Sequence, residues 1–192
     1  MSPTIVFVPG LRDHTPEHWQ TLMQSRLPGS LCVPRLGKEN LSLAAWVGAL
    51  DRTIRAAAGS VVLVAHSAGV LMAVKWAQMH TGPVRGALLA APPDFDVGLP
   101  PGYPSTKALA SNGWLPVPRA PLPFPSLVAV SSDDPLASEA RARHFAFDWG
   151  AEAVDVGPVG HLNPASGFSE WPQAWELLAR LGVGTAAPSG PA

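Results

Sequence analysis

Apolar residues fall along the chain in short blocks of two kinds, and the two kinds alternate. Nearly continuous apolar runs read as strands covered on both faces. They occur at 4–8 (Ile5, Val6, Phe7, Val8), at 61–65, at 84–90 with Arg85 and Gly86 as weak points, and at 127–130. Shorter runs at 30–33 and 153–156 complete six strand candidates. Between them the spacing turns helical. Thr15-Pro16 resembles an N-cap followed by proline at the first helical position and predicts a helix to about 26. Ser42 caps a second helix, in which Leu43, Val47, Leu50, Ile54 and Ala57 share one face and Gly59 ends the run. Further helices are predicted at 68–79, at 135–148 along Leu136, Ala140 and Phe147, and at 170–181.

Six strands alternating with helices are the grammar of a parallel sheet covered on both sides, a three-layer α/β/α sandwich. The exception is 92–125, a long proline-rich stretch with little periodicity, which predicts a lid or a pocket wall. One domain over 1–182 and a flexible tail at 183–192 are expected.

Composition narrows the function. The formal charge is −1, from 13 basic and 14 acidic residues, with no basic stripe, so no nucleic-acid partner is expected. No apolar run approaches the length of a membrane span, and no secretory leader is read in the opening residues, so a cytoplasmic location is expected and a membrane role is not. One cysteine, Cys32 between Leu31 and Val33, excludes an intrachain disulfide, argues against a thiolate metal centre and reads as a buried structural thiol. Trp46, Trp76, Trp149 and Trp175 sit in or beside helical segments and are assigned to the core.

The chemistry concentrates at Ala65-His66-Ser67-Ala68-Gly69. A strand enters this segment and a helix leaves it, the context of a nucleophile turn that lifts a serine hydroxyl above the sheet. So tight a turn needs small residues two before and two after the serine. Gly69 and Ala65 meet that need, although glycine is usual at both positions. A serine hydroxyl needs a base, and the base needs a carboxylate. His161, just past the sixth strand candidate, fits best. His66 should leave the turn in another direction, while His80 and His144 look structural or solvated. Asp134 in Ser131-Ser132-Asp133-Asp134-Pro135 is the first choice of acid, with Asp133 its close rival and Asp94 and Asp96 a fallback.

The anion formed when Ser67 attacks a carbonyl needs two donors. The backbone amides of Ala68 and Leu11 are the candidates. His14 and His18 in the first loop, Trp114 and Leu115 in the proline-rich stretch, and Phe168 beyond His161 are candidate pocket residues. Pro9-Gly10-Leu11-Arg12 lacks the glycine spacing that pyrophosphate binding needs, which sets aside a dinucleotide-binding fold.

Val8-Pro9-Gly10, His18-Trp19, Ala65-His66-Ser67-Ala68-Gly69, Ser132-Asp133-Asp134-Pro135 and Gly160-His161-Leu162-Asn163 resemble, in order and across nearly the whole domain, the α/β-hydrolase superfamily and more closely its RBBP9/YdeN-like small serine hydrolase family. The resemblance implies a compact α/β-hydrolase fold with a six-stranded parallel sheet, and it favours Asp134 as the acid. The triad so read predicts a serine hydrolase acting on a small carboxylic ester through an acyl-enzyme, with no metal or organic cofactor needed, esters being favoured over amides because an alkoxide leaves more easily. A thioesterase, lactonase or amidase on the same triad, or a silent binding protein on the scaffold, are the alternatives. The substrate itself and the oligomeric state are not implied.

Overall fold

The computed structural model describes residues 2–11, 15–37 and 39–184. Its frame is one parallel sheet in the order β2-β1-β3-β4-β5-β6. The strands are β1 (Thr4–Val8), β2 (Leu31–Cys32), β3 (Val61–His66), β4 (Val84–Ala90), β5 (Ser126–Val130) and β6 (Glu152–Asp155). The helices are α1 (Trp19–Ser25), α2 (Leu43–Arg55), α3 (Ala68–Met79), α4 (Thr106–Ser111), α5 (Glu139–Asp148) and α6 (Gln173–Arg180). The chain thus adopts a compact α/β-hydrolase fold.

Alternation along the central strands divides the core in two. Val6, Val8, Leu63, Ala65, Leu89 and Val128 meet α2, α3 and α5 on one face. Ile5, Phe7, Val62, Val64, Leu88 and Ala129 meet α1 and α6 on the other. Both faces of β3 are therefore dry, which explains its uninterrupted apolar run. Burying each valine, leucine, isoleucine or phenylalanine among them stabilises the fold by about 1.5–3 kcal/mol.

The strand order reverses at β1, so β1 and β3 diverge into helices on opposite faces. In open parallel sheets the crevice beyond the carboxyl ends at this point is where ligands bind. Register pairs Val8 with Ala65, which sets the loop after β1 directly beside the turn after β3. Ala65 is fully buried within the regular strand, so its methyl group packs into the sheet core rather than crowding the turn.

Several boundaries differ from the sequence reading, each for a local reason. Helix α1 is capped by His18, whose Nδ1 accepts from the Gln20 amide at 3.2 Å, and not by Thr15. Helix α5 begins at Glu139 because Ser138 Oγ accepts from the Arg141 amide, leaving 135–138 as a turn. On that helix Phe147 is 81% exposed, and Phe145 takes the core position. Cys32 is half-buried on edge strand β2. Trp46, Trp76 and Trp149 are buried, while Trp175 is only partly so.

The stretch 92–125 is not a free lid. It contains α4, and Trp114 and Val117 join the core. The indole of Trp114 donates to the Leu41 carbonyl at 2.7 Å. Arg119 bridges Asp96 and Asp148, and Arg141 of α5 pairs with Asp94 and Asp96. Val183 is also buried, so the domain runs past 182, while 185–192 of the expected tail lie outside the described residues. Among the described residues no helix is long and apolar enough to cross a membrane.

Candidate active site

Ser67 sits between the end of β3 and the start of α3 with φ 56° and ψ −132°. A positive φ at a non-glycine residue costs about 1–3 kcal/mol and persists only where the surroundings enforce it. The Ser67 amide donates to the Ala90 carbonyl at 3.0 Å, and its carbonyl accepts from the Val70 amide at 2.9 Å. In the first turn of α3, Gly69 lets the helix approach β1. A β-carbon there would stand 2.3 Å from the Val8 carbonyl oxygen and 2.6 Å from that of Pro9. Gly10, across the turn, leaves room for the serine itself, since a β-carbon would lie 3.1 Å from Ser67 Cβ.

His161 Nε2 lies 2.8 Å from Ser67 Oγ. Its Nδ1 lies 3.0 Å and 2.9 Å from the two carboxylate oxygens of Asp134. An ionised carboxylate only accepts, so Nδ1 carries the proton and the neutral ring offers Nε2 to the serine hydroxyl. The imidazole and the Asp134 carboxylate are almost wholly buried, at 5% and 4% exposure. The carboxylate also accepts from the Leu136 amide at 2.8 Å, so it is multiply satisfied where water does not reach.

The two neighbouring aspartates have separate tasks. Asp133 points away from the imidazole and accepts from the Gly160 amide at 2.6 Å and the Ser131 hydroxyl at 3.0 Å. It therefore holds the loop that carries His161. That loop turns through Gly160 and Leu162, at φ 55° and 48°. Side chains from within it and from elsewhere tie its backbone down. Ser166 Oγ accepts from the His161 amide at 3.0 Å. The Trp19 indole donates to the Leu162 carbonyl at 3.0 Å. His66 Nε2 lies 2.8 Å from the His161 carbonyl oxygen.

A family model described as Serine hydrolase matches residues 5–180. The chain belongs to the serine hydrolase family. A YdeN-like hydrolase, so described, from Pectobacterium atrosepticum is 32% identical, superposes with a TM-score of 0.81, and the match covers 94% of this chain and 90% of that one. The ydeN gene product of B. subtilis is 17% identical over 94% of this chain and 99% of its own, with a TM-score of 0.64. Est1E from Butyrivibrio proteoclasticus, solved with ferulic acid bound, shares the fold at 14% identity, with a TM-score of 0.70 over 95% of this chain and 90% of that one. No curated protein matches the sequence.

In this serine hydrolase the Ser67 hydroxyl opens into a cavity of about 510 Å³. Gly10, Leu11 and Ala68 line it, the last two being the residues whose amides are the candidates for holding the anion. Phe95, Leu99, Tyr103 and Pro104 from the long segment form the facing apolar wall. His18 lines the cavity too, whereas His14 lies outside the described residues. Trp114, Leu115 and Phe168 do not line it. Trp114 is buried with its ring against Phe95, behind the wall, and Leu115 and Phe168 pack against the two halves of the core. Asp94 and Asp96 face arginines and do not approach His161. Sequence reasoning missed Phe95, Leu99 and Tyr103 because nothing in their local pattern separates a pocket wall from core packing. It also missed the hydrogen bonds that Asp133 and Ser166 make to the backbone of the His161 loop. Among the described residues no group of three or more His, Cys, Asp or Glu is placed to hold a metal ion.

Proposed function

We propose that this enzyme hydrolyses small carboxylic esters with Ser67 as nucleophile, His161 as general base and acid, and Asp134 as the carboxylate that orients the ring. The observation that carries the reading is the unbroken hydrogen-bonded series Asp134–His161–Ser67, opening into an apolar cavity. His161 Nε2 takes the hydroxyl proton as Ser67 Oγ attacks the ester carbonyl. The imidazolium that results carries its charge against Asp134. The negative charge on the former carbonyl oxygen falls to the amides of Ala68 and Leu11, the former at the positive end of α3. Collapse expels the alcohol, protonated by His161, and leaves an acyl group on Ser67. Water then enters and attacks the acyl carbonyl as His161 takes its proton; collapse breaks the bond to Ser67 Oγ, which regains a proton from His161, and releases the acid.

Esters are favoured over amides because an alcohol leaves more easily than an amine. The cavity volume lies within the range of about 300–1,000 Å³ typical of small-molecule sites, which favours a small ester over a polymer strand. The compartment in this reading is the cytoplasm. The test is a panel of p-nitrophenyl esters, a thioester, a lactone and an anilide, with the wild type and Ser67→Ala. The ester arm should turn over fastest and vanish in the variant. A faster thioester, lactone or anilide reaction would replace the substrate class, and undiminished ester hydrolysis by the variant would overturn the reading.

A further inference from the structure

We infer that His66 is a positioning residue for the general base, acting through the main chain of His161. The inference rests on the roles proposed for Ser67 and His161. His66 is the last residue of β3 and is only 4% exposed. Its Nε2 lies 2.8 Å from the His161 carbonyl oxygen. A carbonyl oxygen only accepts, so the His66 proton sits on Nε2 and is donated to it. The ring is clasped on two sides, its centroid 4.7 Å from that of His18 and 5.0 Å from that of His161, with Trp19 approaching edge-on.

The consequence is a closed circuit. Ser67 follows His66 directly in the chain, and the serine hydroxyl meets the His161 ring at 2.8 Å. The same histidine's carbonyl is held by the residue before the serine. Nucleophile and base are thus tied twice, once through the reacting hydrogen bond and once through His66. This second tie references the His161 loop to β3, which is buried along its whole length. Asp133 and Trp19 hold the loop from other elements and Ser166 holds it from within, and His66 alone among these four is adjacent in sequence to the nucleophile. His66 does not itself exchange a proton in the reaction; its contribution is the separation of Oγ and Nε2.

Three variants test this. His66→Phe keeps an aromatic ring without a donor. His66→Gln keeps an N–H donor at a similar reach. His66→Asn keeps the donor but shortens the arm, and replaces the Phe variant if that one does not fold. With Ser67→Ala as the inactive reference, steady-state ester hydrolysis is measured on protein whose melting curve shows it folded. Misplacing reacting groups by about 1 Å costs on the order of 100-fold, so the Phe or Asn variant should lose roughly 10- to 100-fold in kcat with KM little changed. His66→Gln should recover most of that loss. Equal losses in the Gln and Phe variants, wild-type kcat in the Phe variant, or a loss confined to KM would each overturn the role of His66 while leaving Ser67 untouched. Activity surviving in Ser67→Ala would instead bring down the underlying reading.

Discussion

The turn that carries Ser67 and the loop that carries His161 place Oγ and Nε2 2.8 Å apart, yet they are built in opposite ways. The serine turn is fixed by backbone and steric contact: its amide and carbonyl are spent on Ala90 and Val70, and Gly69 brings α3 against Val8 and Pro9. The histidine loop follows a short, outer strand and is fixed by polar side chains. Asp133, Ser166, His66 and Trp19 each hold one backbone group between Gly160 and Leu162. A steric fit fails by misfolding, whereas a side-chain tether fails by misplacing a base on an intact fold. The two halves of the site should therefore break differently.

The largest expected effect sharpens the reacting pair itself: Ser67→Ala should abolish ester hydrolysis while the melting temperature stays near the wild type. Next, Asp134→Asn should lower kcat by about 10⁴-fold, because an amide no longer fixes the imidazole tautomer. Asp133→Asn should cost about tenfold, since it loosens a tether rather than the tautomer. Equal losses at the two positions would erase the distinction between oriented acid and loop anchor. On the steric side, Gly69→Ala should lower the unfolding free energy by about 3 kcal/mol or more, read by urea denaturation, because the displaced atoms are backbone. Ser166→Ala should cost only about 1 kcal/mol of stability, with kcat falling more than the fold weakens.

The smallest effect lies away from both regions. At Asp51 of α2 the hydrogen bond from Arg55 holds the carboxyl below its ordinary value, and the Trp76 indole also donates to it at 3.0 Å. A depressed carboxyl stabilises the fold above its unfolded pKa and loses that contribution as pH falls through the folded one. Asp51→Asn should therefore flatten the stability profile in acid and leave ester hydrolysis unchanged.

The same contrast governs what could be read from the chain. Strands β1, β3, β4 and β5 announce themselves as apolar runs because burial on both faces leaves no other pattern. Helix α3 matches its expected span, since the turn before it and the glycine within it are local constraints. The strand–turn–helix geometry at Ser67 was legible for that reason, even with Ala65 in place of glycine. The order of Ser67, Asp134 and His161 was legible too, but what divides Asp134 from Asp133 is side-chain direction, which no spacing reveals. The histidine loop was legible only in its histidine. Its anchors come from α1, β3 and the turns after β5 and β6, dispersed over more than a hundred residues, and each looks ordinary where it stands. The pocket was the poorest reading. Trp114 is as apolar as Phe95 and Leu99, and only the path of 92–125 decides which of them meet the cavity, while Phe168 packs against the other half of the core.

The most direct test is covalent. Wild-type protein treated with a fluorophosphonate and digested should carry one adduct, on Ser67, and His161→Gln should suppress its formation by orders of magnitude while the melting curve shows the protein folded. An adduct on a different residue, or labelling of Ser67 at an undiminished rate without His161, would contradict the account of Ser67 as a nucleophile activated by His161.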